Sequence, residues 1–242
     1  MKSVALVFVP VLMLAACGQT EGNSAAPAAK VDAIAPPAGT EWTTTVTKTA
    51  DGGFLMGNPA APIKLVEYAS MSCSHCADFA VQASDTIDKM VATGRLSYEF
   101  RNYVRDPLDL TATLLARCGG AGPFFPLSKA MFADQANWFP KMQAISEAEQ
   151  KALQTMPLAQ QFARFAELIE LDEFVRQRGI SADKVKACLS DQAEADMLVK
   201  MRDRANTDYN LQGTPTFLIN GKVVPDTANW EQLQPKLKAA GA

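Results

Sequence analysis

Short apolar and β-branched stretches near the middle of the first hundred residues predict the first strands of the chain. Residues 43–48 (Thr-Thr-Thr-Val-Thr-Lys) are mostly β-branched, and residues 54–56 (Phe-Leu-Met) follow the turn Asp-Gly-Gly. Residues 63–68 (Ile-Lys-Leu-Val-Glu-Tyr) carry apolar side chains on both faces. That pattern is typical of a strand in the middle of a sheet, so we expect a central buried strand here.

The next segment changes from strand to helix and back to strand. Residues 74–92 place apolar side chains at helical spacing, and Gly94 follows as a typical helix end. Residues 96–104 (Leu-Ser-Tyr-Glu-Phe-Arg-Asn-Tyr-Val) then have the pattern of a further strand. Together these segments predict a β–α–β unit, in which the two strands are parallel and the crossover is right-handed.

The rest of the chain divides into a long helical part and a short mixed part. Residues 108–210 have a helical pattern throughout. Two short strands follow, 216–219 and 222–224, and the Asn-Gly pair between them is a strong signal for a two-residue hairpin. Residues 227–240 close the chain as a helix. The predicted fold class is therefore α/β, with a helical insertion between a βαβ half and a ββα half.

The N-terminus has the features of a targeting segment. Lys2 supplies a positive charge, and residues 4–14 form an apolar run that is too short to span a bilayer. The sequence Leu-Ala-Ala-Cys at 14–17 resembles a bacterial lipobox, which implies a signal peptide at 1–16 and lipidation of Cys17. The alternative is an ordinary secretory signal with a cysteine near the cleavage site. Under either interpretation we expect an exported protein of the bacterial cell envelope, facing the periplasm.

Composition separates a tether from a folded domain. Residues 17–40 contain the lipidated cysteine and then mostly alanine, proline, glycine and serine, which bury too little surface to fold. We therefore expect a flexible tether that joins a membrane lipid anchor to a domain at 41–242. The net charge of −3 argues against a nucleic-acid partner, because such a partner requires a basic face.

The number of cysteines supports the lipobox interpretation. The chain has five cysteines, and an odd thiol in an exported protein requires an explanation. Lipidation of Cys17 leaves four, which are Cys73, Cys76, Cys118 and Cys188. Four cysteines can form two pairs, so the count and the lipobox support each other.

Cys73 and Cys76 form a Cys-x-x-Cys motif at the predicted start of a helix. Free N–H groups and the helix dipole favour a negative charge there, so the first thiol should ionise easily and be reactive. His75 lies between the two cysteines, where it can stabilise the thiolate and make the disulfide a stronger oxidant; a solvent-exposed loop histidine is the alternative. A zinc site would need a second closely spaced ligand pair, which Cys118 and Cys188 do not form, so we expect no metal and no cofactor.

The surroundings of this motif resemble the DsbA family of disulfide oxidoreductases. Residues 67–79 read Glu-Tyr-Ala-Ser-Met-Ser-Cys-Ser-His-Cys-Ala-Asp-Phe, and Gly-Thr-Pro-Thr-Phe follows at 213–217, after the helical insertion. The resemblance extends from about residue 53 to the C-terminus and implies a thioredoxin fold. It also implies that Cys73 is the nucleophile and that Cys76 is the buried resolving thiol.

The same resemblance implies roles for Glu67, Thr214 and Pro215. Pro215 corresponds to the cis-proline of the family, whose loop, with Thr214, faces the sulfurs and binds the substrate backbone; a trans turn proline is the alternative. Glu67 corresponds to a buried acid that relays a proton to or from the resolving thiol, and burial would raise its pKa toward a useful range. The alternative for Glu67 is an outward-facing residue of an edge strand.

Cys118 and Cys188 lie on separate predicted helices of the insertion. Many members of the family carry a second cysteine pair in this region, so the resemblance implies a structural disulfide. Such a bond would stabilise the fold by roughly a few kcal/mol. Two free buried thiols that pack as small hydrophobic groups are the alternative.

Three functions are open to this sequence. The first is a monomeric, tethered oxidase that acts on reduced or misoxidised exported proteins and is recycled by a membrane redox partner. The second is a disulfide isomerase or reductase, because Ser74 replaces the proline usual in the strongest oxidases and Thr214 also occurs in isomerase-type relatives. Segment 41–54 is too short for the dimerisation region of periplasmic isomerases, which favours the oxidase. The third is a metal chaperone or binding module, which would have no need of Glu67.

Overall fold

The computed structural model describes residues 32–242, within which six strands form one sheet in the order β1-β2-β4-β3-β5-β6. The predicted signal peptide, Cys17 and the first part of the predicted tether lie outside these residues. The strands are β1 (Val46–Lys48), β2 (Phe54–Gly57), β3 (Ile63–Ala69), β4 (Leu96–Asn102), β5 (Thr216–Ile219) and β6 (Lys222–Val223).

Ten α-helices accompany the sheet within the same residues. They are α1 (Ser74–Ala92), α2 (Pro107–Arg117), α3 (Ala121–Ala133), α4 (Gln135–Gln143), α5 (Glu147–Gln154), α6 (Leu158–Leu168), α7 (Leu171–Arg176), α8 (Ala182–Leu189), α9 (Gln192–Tyr209) and α10 (Trp230–Ala239). Helices α2 to α9 lie between β4 and β5, which confirms the helical insertion between the two halves of the fold. In the part of the chain that is described, no helix has both the length and the hydropathy needed to cross a membrane.

Strand β3 lies inside the sheet, as its sequence predicts. It pairs in parallel with β4 and antiparallel with β5, so the expected β–α–β unit is confirmed. Successive side chains of a strand point to opposite faces. Leu65 and Ala69 belong to the core that includes α1, whereas Val66 and Tyr68 belong to a second cluster that includes part of α9. Glu67 therefore lies on the face that is covered by α1.

Helix α1 begins directly after the first cysteine of the motif. Cys73 has extended backbone angles and is the N-cap residue. Phe79, Ile87 and Val91 recur at helical spacing and are buried against the sheet. Gly94 has a φ of 71°, a conformation that glycine adopts without strain, and it follows the helix end as predicted.

The hairpin of β5 and β6 forms at the predicted Asn-Gly pair. Asn220 and Gly221 have φ values of 51° and 80°, and positive φ at both positions is what a type I′ turn requires. The Asn220 side chain also accepts a hydrogen bond from the backbone N–H of Lys64 at 2.8 Å. This contact joins the turn of the hairpin to β3.

The expected strand at 43–48 is wrong in its first half. Trp42–Thr44 form a 3₁₀ turn, and the strand begins at Val46. The reason is the Trp42 indole, which is buried and donates a hydrogen bond to the carbonyl oxygen of Ile34 at 2.7 Å. The Ile34 N–H in turn donates to the C-cap carbonyl of α1 at 2.8 Å, so the last part of the predicted tether contacts the domain.

Candidate active site

Cys73 faces a groove of about 680 Å³ between the start of α1 and the loop before β5. Its Sγ donates a hydrogen bond to the carbonyl oxygen of Thr214 at 3.3 Å, and the peptide bond between Thr214 and Pro215 is cis. The side chain of Cys73 is 6 % exposed. A substrate sulfur must therefore approach Cys73 through this groove, beside the loop that carries Thr214.

The surroundings of Cys73 stabilise its thiolate. A hydrogen bond with the Cys76 thiol is the largest effect, and it lowers the pKa of Cys73 to about 5 against the opposing effect of burial. A hydrogen bond with the side-chain hydroxyl of Thr214, a hydrogen bond from the backbone N–H of Cys76 and the positive charge of Arg105 act in the same direction. Cys73 is therefore mostly a thiolate at neutral pH, which is the nucleophilic form of cysteine.

Cys76 has the opposite environment. Its side chain has no exposed surface. Burial raises the pKa of the Cys76 thiol well above its usual value, and the hydrogen bond to Cys73 and the negative charges of Cys73 and Glu67 raise it further. No disulfide joins the two cysteines in this structure. The pair thus combines an ionised sulfur at the groove with a protonated sulfur in the core.

Glu67 lies beneath the cysteine pair and is 2 % exposed. Burial raises the pKa of its carboxyl to about 8, although a hydrogen bond donated by the Tyr98 hydroxyl acts in the opposite direction. The alternative of an edge-strand position for Glu67 is wrong, since β3 lies inside the sheet. A carboxyl with this pKa can both bind and release a proton near neutral pH, next to a thiol that must do the same.

A second buried acid supports the loop that carries Cys73. Asp109, at the start of α2, accepts hydrogen bonds from the backbone N–H groups of Ser72 at 3.1 Å and of Arg105 at 3.0 Å. The Arg105 guanidinium donates to the Ser72 hydroxyl at 2.7 Å. Burial raises the pKa of the Asp109 carboxyl to about 6. Neither Asp109 nor Arg105 could be recognised as a site residue from the sequence, because an acid in the first turn of a helix is common and indicates no site.

His75 is exposed and lines the groove. Among residues 32–242, no hydrogen bond joins His75 to Cys73; the Cys73 sulfur instead contacts Cys76 and Thr214. The effect of His75 on the thiolate therefore stays a prediction.

A family model described as "Thioredoxin" matches residues 49–239. The chain belongs to the thioredoxin family. With its helical insertion between the two halves of the fold, this thioredoxin-family protein is DsbA-like, as the sequence predicts.

Solved structures resemble this thioredoxin-family protein over most of its length. A protein-disulfide isomerase from Novosphingobium aromaticivorans is 34 % identical, with a TM-score of 0.76 over 79 % of this chain and 98 % of that one. The alpha-DsbA1 of Wolbachia pipientis is 25 % identical, with a TM-score of 0.55 over 74 % and 79 % of the two chains.

Curated relatives of this thioredoxin-family protein are longer, and the match covers a smaller fraction of their sequences than of this chain. A Rickettsia bellii protein named as a protein-disulfide oxidoreductase is 26 % identical over 181 residues, which are 72 % of this chain and 59 % of that protein. A Rickettsia conorii protein named in the same way is 27 % identical over 181 residues. The chain thus spans less than two-thirds of the length of these relatives.

A disulfide joins two helices of the insertion in this thioredoxin-family protein. Cys118, at the end of α2, is bonded to Cys188 in α8 with an S–S distance of 2.07 Å and a sequence separation of 70. The bond lies apart from the groove, so it is a separate element from the Cys73–Cys76 pair. In residues 32–242, no group of three or more histidine, cysteine, aspartate or glutamate side chains forms a metal-binding cluster.

Proposed function

We propose that this protein is a thiol:disulfide oxidoreductase that oxidises dithiols of exported proteins through Cys73 and Cys76. The observation that carries the proposal is the asymmetry of the pair: the pKa of Cys73 is lowered to about 5, and the pKa of Cys76 is raised by burial. Stabilisation of the Cys73 thiolate favours the reduced pair, so the disulfide form readily donates its bond. The oxidoreductase names of the Rickettsia relatives support the same activity.

The geometry supports a reaction in two displacements. A substrate thiolate attacks Cys73, which lines the groove, and a mixed disulfide forms while the bond to Cys76 breaks. Cys76 leaves with the electron pair and takes a proton from Glu67. The negative charge of Glu67 beneath the pair raises the pKa of the Cys76 thiol and so favours this transfer. A second substrate thiolate then attacks the substrate sulfur of the mixed disulfide and releases the Cys73 thiolate. Two electrons pass from the substrate dithiol to the cysteine pair.

Transfer of the disulfide to a reduced, unfolded substrate protein tests this activity. The oxidised protein should introduce disulfides into the substrate in stoichiometric amounts, and Cys73→Ser should abolish the reaction. Cys76→Ser should instead be mixed with a protein that contains a disulfide: the Cys73 thiolate then opens that bond, one substrate thiolate leaves, and a mixed disulfide accumulates on Cys73 because the resolving thiol is missing. An oxidised protein that leaves the substrate thiols unchanged would contradict the proposal.

An isomerase is the second candidate, and one observation favours it. The structurally similar protein from Novosphingobium aromaticivorans, at 34 % identity, is named a protein-disulfide isomerase. Both activities use the same thiolate, so the distinction lies in which redox form acts. If the reduced protein reshuffles a scrambled substrate faster than the oxidised protein oxidises a reduced one, isomerisation is the main activity.

The location of the protein is a separate part of the proposal. We infer that residues 1–16 are cleaved, that Cys17 is lipidated, and that residues 17–40 tether the domain to the periplasmic side of a membrane. The lipobox-like sequence supports this, and so does the Cys118–Cys188 bond, since such disulfides persist mainly in oxidising compartments. Mass spectrometry of the membrane-bound protein should find acyl chains on Cys17, and Cys17→Ser should release the protein from the membrane.

The proposed partners follow from this tether. A domain that stays beside a membrane can be reoxidised by a redox partner in that membrane, and a single chain suffices for the chemistry of Cys73 and Cys76. Light scattering of the protein without residues 1–17 should report one chain. A stable dimer would favour the isomerase over the oxidase.

A further inference from the structure

A small cavity lies beside Glu67, between α1, α3 and the sheet. Its volume of about 20 Å³ exceeds the roughly 10–15 Å³ that one water molecule needs, and it is too small for a larger ligand. Aromatic and aliphatic side chains form most of its wall. Its polar lining consists of Glu67, Ser84, Asp88, Tyr98, Ser128 and Lys129.

Two oxygen atoms of this lining are buried and have no hydrogen-bond partner among the described residues. They are Oγ of Ser128, a residue that is 3 % exposed, and Oδ1 of Asp88. Buried polar atoms are almost always satisfied by protein groups or by ordered water. Two such atoms in one cavity of this size, together with the Glu67 carboxyl and the Tyr98 hydroxyl, match the two to four partners of a buried water.

Asp88 connects this cavity with the surface. Its other oxygen, Oδ2, pairs with the Lys129 ammonium at 2.6 Å, and the two side chains are 35 % and 31 % exposed. One oxygen of the carboxylate therefore meets solvent while the other is enclosed. Asp88 also acts electrostatically on the interior: burial and Glu67 raise the pKa of Tyr98, and the charge of Asp88 raises it further.

We propose that this cavity holds a water molecule through which Glu67 exchanges protons with the solvent, by way of Ser128 and Asp88. The inference rests on the proposed function, in which Glu67 gives its proton to Cys76 or takes it from Cys76. Because Glu67 is 2 % exposed, it needs a route to recover or release that proton in each cycle. Ser128 and Asp88 act through this water on Glu67, so they are positioning residues for proton transfer.

The oxidation of the reduced protein by an aromatic disulfide isolates this step. The two aromatic thiolates that leave are coloured and stay ionised at neutral pH. The first leaves when the Cys73 thiolate attacks, and no proton moves. The second leaves when Cys76 loses its proton and attacks Cys73 in the mixed disulfide. A pH indicator in weak buffer reports the proton when it reaches the solvent, so the sulfur step and the proton step are followed separately.

Ser128→Ala and Asp88→Asn should leave the first phase unchanged. At pH 7 both variants should slow the second phase and the appearance of the proton by about tenfold. This loss is smaller than the full rate enhancement that a general acid–base group provides. At a pH well above 8 the difference should shrink, because Glu67, with its pKa of about 8, is then ionised before the reaction. Ser128→Ala should not change the reduction potential, because a proton-transfer route affects how fast the thiols are oxidised and leaves the redox equilibrium unchanged.

Control variants show whether a slower second phase comes from loss of the proton route or only from the loss of a negative charge on α1. Asp85→Asn makes the same substitution at an exposed position of α1, and it should react like the wild-type protein. Lys129→Gln breaks the ion pair but keeps the carboxylate, and Asp88→Glu restores a carboxylate; both should retain most of the second-phase rate.

The possible outcomes distinguish this inference from the proposed function. A wild-type protein without a first phase would overturn both. A normal first phase with an unchanged second phase in both Ser128→Ala and Asp88→Asn would overturn the proton route alone. An equal loss of rate in Asp85→Asn, or a shifted potential in Ser128→Ala, would also overturn it.

Discussion

Two buried carboxyls and one arginine determine the charges around Cys73. Glu67 lies beneath the cysteine pair, and Asp109 and Arg105 hold the backbone and the hydroxyl of Ser72. The strand pattern at 63–68 predicted a central strand, and the resemblance to the DsbA family identified Glu67 within it; the edge-strand alternative stayed open until the sheet order was known. Asp109 and Arg105 could not be found in this way. Their hydrogen bonds to Ser72 span 37 and 33 residues, and no local pattern encodes such contacts.

Arg105 should contribute measurably to the acidity of Cys73. Arg105→Gln removes a positive charge that favours the thiolate, so the pKa of Cys73 should rise above about 5, by roughly half a unit to one unit. Thiolate absorbance in the ultraviolet, followed against pH, measures this shift. His75→Ala is the comparison, and from the structure we expect a smaller rise. A larger rise for His75→Ala than for Arg105→Gln would restore the interpretation drawn from the sequence.

The raised pKa of Glu67 should also appear in the pH dependence of stability. The carboxyl has a pKa of about 8 in the folded protein and an ordinary value of 4.5, so the folded state binds the proton more tightly. This stabilisation is complete below 4.5 and is lost as the pH rises through 8. Glu67→Gln cannot ionise. Its free energy of unfolding, relative to the wild-type protein, should therefore increase over this range by about a few kcal/mol.

Urea unfolding of the reduced proteins at several pH values measures this difference. Reduced protein is used for both chains so that the Cys73 thiolate contributes equally. A difference between Glu67→Gln and wild type that stays constant from pH 4.5 to pH 8 would show that the carboxyl is not desolvated as the structure indicates.

Among the secondary-structure elements, those with a strong local signal were predicted well and those shaped by distant contacts were not. The apolar run of β3, the periodicity of α1 and the Asn-Gly hairpin fix their elements locally, and all three agree with the structure. The last helix begins at Trp230, three residues after the expected start, because the Asn229 side chain caps it by accepting from the N–H of Gln232. The threonines at 43–45 predicted a strand, but Trp42–Thr44 form a 3₁₀ turn because the Trp42 side chain is buried.

The link between α2 and α8 should affect stability without affecting the chemistry. The Cys118–Cys188 bond closes a loop of 70 residues, for which the chain-entropy model gives roughly 4 kcal/mol. The double variant Cys118→Ser, Cys188→Ser should therefore unfold at a lower urea concentration. The pKa of Cys73 should be unchanged, since its hydrogen-bond partners are Cys76 and Thr214. A shifted pKa in the double variant would show that the insertion also shapes the active site.

For the whole molecule, the fold brings together three segments that are far apart in sequence. The start of α1 carries the cysteine pair, β3 places an acid beneath it, and the cis-proline loop before β5 lies over it. The order of these elements along the chain predicted this arrangement, because the thioredoxin fold sets β3 between β4 and β5. The strength of the resulting oxidant depends on how far the Cys73 thiolate is stabilised, and that is a property of the folded protein alone.

The reduction potential of the Cys73–Cys76 couple, measured against glutathione, tests this central claim most directly. Because the thiolate of Cys73 is stabilised to a pKa of about 5, the couple should be oxidising, with a potential less negative than about −200 mV. The potential should become more negative in Arg105→Gln, in step with the rise in pKa. A wild-type potential near −270 mV, which is typical of a reducing thioredoxin, would contradict the account.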